Sequence, residues 1–412
     1  MFDVAVSCLV LTALFAYLNH RFVKLPTTIG VMAIALLFSL ALVGLDMLGI
    51  GALHDYEVRL LKSVDFSELL MQGMLSLLLF AGALHVDINE LRKQGWQIGI
   101  LAVVGTAVST GIVGVALWYL LPWVGIKLSL QYCLLFGALI SPTDPIAVMG
   151  ILKSAGAPKD LEITIAGESL FNDGVGVVLF VLLLEMLVQG EAPTVNHGLA
   201  ILAREAGGGL AFGFVLGYIT YRMLKSIDQY QVEILITLAA VMGGYALANR
   251  LHVSGPLAMV VVGIFIGNQG RAFAMSERTR GHLDAFWELL DELLNSVLFV
   301  LIGLEVTLIT LTPEMPYAVV LTLIVTLGAR LISVGLPIAT LPSVFRIPRG
   351  GWKILVWGGL RGGISVALAL SLPLGAERSL ILTLTYAVVV FSIVCQGSTM
   401  AAFTRRALSA RA

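Results

Sequence analysis

The sequence predicts an all-α polytopic membrane protein with about thirteen transmembrane helices. Of its 412 residues, 58% are hydrophobic and 12% are charged, and the mean hydropathy is +0.96. A soluble domain carries about 25% charged residues. Apolar segments of about 20 residues recur along the whole chain, and each is long enough to cross a bilayer as a helix. Barrel strands are about 10 residues long with alternating polarity, so these segments indicate helices rather than strands.

The apolar segments define the predicted spans. They cover residues 3–20, 27–47, 66–86, 97–121, 129–153, 161–188, 199–223, 231–250, 255–270, 287–310, 316–341, 352–374 and 379–404. The longest polar stretches between them are short, at about 48–65 and 268–286. We therefore predict one integral membrane domain over residues 1–412, without a soluble domain.

The basic residues predict the orientation. Loops on one side carry 17 of the 25 Lys and Arg residues and loops on the other side carry 6, while Arg330 and Arg361 fall within spans. The side richer in Lys and Arg is normally cytoplasmic. This places the C-terminus in the cytoplasm and the N-terminus outside, which an odd number of spans requires.

Cysteine and histidine spacing argues against a metal centre or a disulfide framework. Cys8, Cys133 and Cys395 lie within predicted spans at unrelated spacings, which does not suit a disulfide or a metal site. The histidines are scattered and none forms a metal-ligand pair with another: His20, His54, His85, His197, His252 and His282. Basic residues are spread over the loops rather than gathered in a patch, so nucleic acid is not a predicted partner.

Two acidic residues in span 161–188 are the first candidate functional groups. On a helix, Glu168 and Asn172 share a face, as do Ser169 and Asp173, because residues four apart are neighbours. Ser and Asn often link membrane helices without any further function. Two carboxylates at membrane depth are costly, however, and ionisable residues there usually mark an ion or proton route.

A proline-flanked acid lies in span 129–153, in the motif Ser141-Pro142-Thr143-Asp144-Pro145. Pro145 lacks an N–H and clashes with the carbonyl group of Ser141, and Pro142 biases Ser141 away from helical geometry. The helix is therefore predicted to break, with carbonyl groups near Ser141 to Thr143 turned into a cavity beside Asp144. Oxygen ligands of this kind suit Na⁺, Li⁺ or K⁺.

Two arginines lie deep in the second half of the chain. Arg330 follows Gly328 and Ala329, and Arg361 lies in a glycine-rich run at 358–363 that weakens its helix and allows close backbone approach. Each arginine is predicted to pair with an intramembrane acid. Interruptions at 142–145 and 358–363 are seven spans apart, which suits an inverted repeat of spans 1–6 and 8–13 and a binding site near the midplane.

The acidic motifs and the later Gly-Leu-Arg-Gly-Gly run resemble the monovalent cation:proton antiporters, in particular the bacterial NhaP-type sodium/proton antiporters related to animal sodium/proton exchangers. The resemblance covers nearly the whole chain. It implies a homodimer in which dimerisation spans flank a six-helix core with two crossed, broken helices. It also implies that the ion site includes Thr143, Asp144, Glu168, Ser169, Asn172 and Asp173, and that Arg330 and Arg361 are the family's two membrane arginines. We predict that one of these arginines forms a structural ion pair with Glu168; the sequence does not decide which one, or whether Glu168 binds the ion instead. The Asn172-Asp173 pair is the form that the family associates with electroneutral exchange.

Competition for one carboxylate then predicts the mechanism. Asp173 binds either a proton or a cation, so exchange is obligatory if only the loaded site reorients. The sequence predicts a Na⁺ (or Li⁺)/H⁺ antiporter of the bacterial inner membrane that serves pH and sodium homeostasis by alternating access. It predicts no enzyme activity and no cofactor; Na⁺ is held by Asp173, Ser169, Thr143, Glu168 and Asp144. K⁺/H⁺ exchange is the alternative, because ligand types alone do not set cavity size, and an ion channel or a membrane hydrolase is less favoured.

Overall fold

Every regular element in the part of the chain that the structure describes is helical. The structure is a computed structural model, and it describes residues 2–48, 73–189, 195–305, 313–345, 347–348 and 350–409. The α-helices are α1 Phe2–Leu18, α2 Thr27–Met47, α3 Leu75–Leu84, α4 Ile88–Gly99, α5 Thr106–Leu120, α6 Leu130–Ile140, α7 Ile146–Ser154, α8 Lys159–Gln189, α9 Val195–Leu202, α10 Gly208–Leu224, α11 Tyr230–Arg250, α12 Gly255–Phe265, α13 Arg271–Phe273, α14 Glu277–Glu305, α15 Met315–Thr340, α16 Gly351–Trp357, α17 Gly363–Leu370, α18 Ala376–Phe391 and α19 Ser398–Ser409.

Short π-helical turns join several of these helices into longer rods. They lie at Asn19–Val23, Ile100–Gly105, Ala203–Gly207, Ile266–Gly270 and Ser392–Gly397, and a 3₁₀ turn lies at Leu121–Val124. Within the described residues, nine helical segments are long and apolar enough to cross a membrane. The all-helical membrane fold class is therefore confirmed, while the count of thirteen spans stays a prediction.

Most predicted spans coincide with observed helices. Span 161–188 corresponds to α8, and spans 129–153 and 352–374 each appear as two short helices with a gap between them. Helix α14 begins at Glu277 rather than at 287 and carries charged residues through its first half. Residues 66–72 and 306–310 of two further predicted spans lie outside the described part of the chain.

The chain forms two compact units, and the first comprises Met1–Leu69, Val108–Glu162 and Asn295–Ala412. Its helices approach closely at small residues. A Cβ atom added to Gly303 would lie 2.6 Å from the Cβ atom of Ala35, and Ser39 Oγ donates a hydrogen bond to the carbonyl oxygen of Leu304 at 3.3 Å. In a lipid bilayer the hydrophobic effect does not drive helices together. Packing of small residues and interhelical hydrogen bonds stabilise their association instead.

The second unit comprises Leu70–Ala107 and Ile163–Leu294. Gly209, Gly213 and Gly217 recur every four residues along α10 and face α12, where a Cβ atom on Gly213 would lie 2.6 Å from the carbonyl oxygen of Ala258. Such spacing lets two helix backbones meet. Trp287 is fully buried against Phe80, with ring centroids 4.5 Å apart, so this aromatic pair forms part of the core of the unit.

Candidate ion-binding site

The first helix break lies between Ile140 and Ile146, where α6 ends and α7 begins. Because Pro145 has no N–H, the carbonyl oxygen of Ser141 loses its usual donor four residues later. Ser141 itself keeps helical dihedral angles, φ −75° and ψ −34°. The prediction that Pro142 displaces Ser141 from helical geometry is wrong, because the Ser141 N–H and hydroxyl both donate to the carbonyl oxygen of Gly137, at 3.1 and 2.7 Å.

The second break lies between Trp357 and Gly363, and it meets the first break directly within the same unit. The backbone N–H of Asp144 donates to the carbonyl oxygen of Leu360 at 2.8 Å. A Cβ atom on Gly362 would lie 2.5 Å from Asp144 Oδ2, so this position requires the absence of a side chain. The glycines around Arg361 therefore allow the close backbone approach that the sequence predicts.

Arg361 joins the two breaks through its side chain. Its Nη1 atom donates to the carbonyl oxygens of Ser141 and Pro142, the second at 2.9 Å. These carbonyl groups precede Pro145 in the interrupted turn, so the guanidinium group replaces donors that the broken helix does not provide. Arg361 is only 3% exposed, and hydrogen bonds to buried polar groups of this kind stabilise the site.

Arg330 occupies a neighbouring position in the same unit. Its Nη2 atom donates to the carbonyl oxygen of Leu355 at 2.9 Å, near the end of α16. A Cβ atom on Gly359 would lie 2.5 Å from Arg330 Nε, so this glycine makes room for the guanidinium group. Arg361 thus binds backbone carbonyl groups at the first break, and Arg330 binds one next to the second break.

The acidic stripe of the second unit lies on an uninterrupted stretch of α8. Glu168, Ser169, Asn172 and Asp173 are 1%, 2%, 1% and 8% exposed. The neighbouring Gly174 is in close contact with α12, because a Cβ atom there would lie 2.3 Å from Leu257 Cδ2. The helix therefore buries the polar face that the four-residue spacing predicts, and it does so among tightly packed neighbours.

The predicted site residues fall in both units. Thr143, Asp144, Arg330 and Arg361 belong to the first unit, and Glu168, Ser169, Asn172 and Asp173 belong to the second. Thr143 is 2% exposed, whereas Asp144 is partly exposed. The single Na⁺ site and the Glu168–arginine pair that combine residues of the two units stay predictions.

Several polar residues that support the breaks were missed by the sequence analysis. Ser392 Oγ accepts a hydrogen bond from the backbone N–H of Arg361 at 2.9 Å, and Gln396 Nε2 donates to the carbonyl oxygen of Trp357 at 3.1 Å. The hydroxyl groups of Ser141 and Ser109 form a hydrogen bond, with their Oγ atoms 2.9 Å apart. The available signal was the pair Ser392 and Gln396, which are four residues apart in the predicted span 379–404.

Comparisons with known proteins identify the family of the chain. The family model described as "Sodium/hydrogen exchanger, transmembrane" matches residues 10–406. The chain belongs to the sodium/hydrogen exchanger family. Within this family it is 54% identical to the Na⁺/H⁺ antiporter NhaP of Pseudomonas aeruginosa over 411 residues, which cover 98% of this chain and 97% of that one. It is 36% identical to the Na⁺/H⁺ antiporter NhaH of Halobacillus dabanensis, with 91% and 94% of the two chains covered.

A solved structure of the exchanger fold is also similar. The sodium proton antiporter MjNhaP1 from Methanocaldococcus jannaschii at pH 8 aligns with a TM-score of 0.74 at 19% sequence identity, and 97% of each chain is covered. The predicted family is thus confirmed. Exchangers are transporters rather than enzymes, so the membrane hydrolase that the sequence left open is excluded.

Proposed function

We propose that this exchanger carries Na⁺ in exchange for H⁺ across the membrane, with Asp173 as the group that binds either ion. The observation that carries the proposal is the acidic stripe on α8. Two carboxylates, a hydroxyl and an amide lie buried on consecutive turns of α8, next to an apolar stretch at 174–184 of the same helix. Acids at that depth are expensive unless they serve transport.

The proposed ligands of Na⁺ are oxygen atoms of Asp173, Ser169, Glu168, Thr143 and Asp144, which suit a hard cation. Asn172 supplies an uncharged amide beside Asp173. The two helix breaks, held together by Arg361 and by the Asp144–Leu360 hydrogen bond, provide a rigid frame next to Asp144. A rigid frame favours one geometry of the ion and therefore supports selection between ions.

Obligatory exchange follows from competition at Asp173. A proton and a cation both require the carboxylate, so the site holds one or the other. In our proposal only the loaded site reorients between the two sides of the membrane, which is alternating access. Li⁺ is an expected second substrate because its ligand chemistry is the same.

The proposed setting is a bacterial inner membrane, with the N-terminus outside, the C-terminus in the cytoplasm and two chains per transporter. The charge asymmetry of the loops supports this orientation. The expected role is control of internal pH and sodium.

The deciding experiment is transport by purified protein in vesicles that contain a pH-sensitive dye. Adding Na⁺ or Li⁺ outside should change the internal pH, whereas K⁺ should have little effect. A response to K⁺ that equals the response to Na⁺ would contradict the proposed substrate. A pH change without any cation gradient would contradict exchange altogether.

Asp173→Asn should abolish exchange while the protein stays folded, because asparagine keeps the volume of aspartate and removes both its charge and its proton affinity. Asp160→Asn is the matched control, since Asp160 is an exposed acid at the first turn of the same helix. The control should transport at the wild-type rate in the same vesicles. Wild-type transport by Asp173→Asn would remove Asp173 from the mechanism.

A further inference from the structure

One face of α10 exposes apolar side chains along its length. Gly209, Gly213 and Gly217 of α10 face α12. On the rest of the helix, exposures between 46% and 57% are found for Leu210, Phe214, Val215, Ile219 and Met223. In a membrane protein, a continuous apolar face of this kind suits contact with acyl chains. This apolar face extends to the C-terminal end of α10.

A groove with a volume of about 570 Å³ lies at that end of the helix. It is lined by Tyr218, Tyr221, Arg222, Lys225 and Ser226. Arg222 Nη1 donates to Tyr218 Oη at 3.4 Å, and Lys225 Nζ donates to Tyr221 Oη at 3.3 Å. Lys225 Nζ also lies 5.7 Å from the centre of the Tyr221 ring. Two cations and two phenol groups therefore converge on one open groove.

The charge of the groove is positive and is not neutralised by the described residues that line it, none of which is acidic. The nearby Asp228 instead accepts hydrogen bonds from Ser276 and Thr279, at 2.8 and 3.3 Å. Basic residues near a helix C-terminus also offset the helix dipole. That effect accounts for the positions of Arg222 and Lys225, but it does not require a groove or paired tyrosine hydroxyl groups.

We infer that this groove binds the phosphate group of an anionic phospholipid, whose acyl chains follow the exposed apolar face of α10. Arginine and lysine are the usual partners of phosphate, and tyrosine is enriched at the level of the lipid headgroups. Basic pockets at the end of membrane helices bind anionic headgroups in this way. The membrane is the source of this ligand because the groove is continuous with the apolar face.

Binding of phosphatidylglycerol and phosphatidylcholine to the purified, delipidated protein tests the inference by native mass spectrometry. Wild-type protein should bind phosphatidylglycerol more tightly than phosphatidylcholine. Each basic residue contributes about fivefold to binding of an anionic membrane lipid. The double variant Arg222→Gln/Lys225→Gln should therefore weaken phosphatidylglycerol binding roughly 25-fold and leave phosphatidylcholine binding unchanged.

Two further variants separate charge from fold. Arg222→Lys/Lys225→Arg keeps both charges and should keep the preference for phosphatidylglycerol. Lys353→Gln is the matched control, because Lys353 is an exposed lysine that lies 5.7 Å from the ring centre of Trp352, as Lys225 does from Tyr221. It should bind both lipids as the wild type does.

Three results would overturn the inference. The first is equal affinity of wild-type protein for the two lipids, and the second is unchanged phosphatidylglycerol affinity in Arg222→Gln/Lys225→Gln. The third is binding of soluble glycerol phosphate as tightly as the lipid, which would assign the groove to a free anion. If the second result is accompanied by a change of oligomeric state in the double variant, the groove is a contact between copies of the chain.

Discussion

Gly362 sets how closely the backbone of the second helix break approaches Asp144. A methyl group at Gly362 would lie 2.5 Å from Asp144 Oδ2 and 2.7 Å from Asp144 Cβ. The backbone hydrogen bond from Asp144 to Leu360 leaves little freedom to relieve that clash. We expect Gly362→Ala to lower the free energy of unfolding by about 1–3 kcal/mol, as overpacking does, and to slow exchange because Asp144 is displaced.

Melting in detergent and Na⁺-driven pH changes in vesicles measure both effects of Gly362→Ala. Gly335→Ala is the matched control, since no atom lies within 4 Å of a Cβ atom at that position in α15. It should keep wild-type exchange and stability, or gain slightly from the better helix propensity of alanine. Equal behaviour of the two variants would show that the breaks are loosely packed.

A second residue-scale prediction concerns Glu168 and the two buried arginines. Arg361→Ala should lower stability by several kcal/mol, because the carbonyl groups of Ser141 and Pro142 lose their donor. Arg330→Ala should also destabilise the protein, through loss of the hydrogen bond to Leu355. Single variants therefore do not report on pairing with Glu168.

A double-mutant cycle does measure the pairing of Glu168 with each arginine. Combining Glu168→Gln with each arginine variant should give a coupling energy of about 0.5–3 kcal/mol for the arginine that pairs with Glu168. Thermal melting of the purified single and double variants measures that energy. Additive losses in both cycles would contradict the pair and return Glu168 to the role of an ion ligand.

The helix breaks could be predicted from sequence because their causes are local. Pro145 removes a donor, and the glycines around Arg361 remove side chains, so each interruption is encoded within a few residues. The partners of the breaks could not be predicted, since Ser392 meets Arg361 only through tertiary packing. The geometry of Ser141 was mispredicted for a related reason. The preference imposed by Pro142 is weak, and two hydrogen bonds to Gly137 outweigh it.

The close contact between helices α10 and α12 predicts the effect of a substitution at Gly213. A Cβ atom on Gly213 would lie 2.6 and 2.9 Å from backbone atoms of Ala258, and backbone atoms do not move as a flexible side chain does. Gly213→Ala should therefore separate the two helices and lower the melting temperature. Gly243→Ala, with no atom within 4 Å of its Cβ position in α11, should not. Equal melting temperatures would mean that this contact is not tight.

For the whole molecule we predict electroneutral exchange of one cation for one proton. The reason is the net charge that the loaded site carries in each half of the transport cycle. Asn172 stands beside Asp173 where a second acid would add a second titrating group. If Glu168 stays ionised beside an arginine, Asp173 alone carries the exchanged ions, with Na⁺ bound in one direction and H⁺ bound in the other. The loaded site then has the same net charge in each half of the cycle.

A membrane potential should therefore leave the exchange rate nearly unchanged. Moving one net charge through the membrane changes its free energy by about 2.3 kcal/mol per 100 mV, which corresponds to a change in rate of up to about 50-fold. Initial rates in vesicles at imposed potentials of either sign measure this directly, with Asp173→Asn vesicles as the control for leak. A steep dependence on potential would reveal a second carried charge. Asp144 would then be the first residue to test as its carrier, because it is the partly exposed acid at the helix breaks, and Asp144→Asn should abolish the dependence.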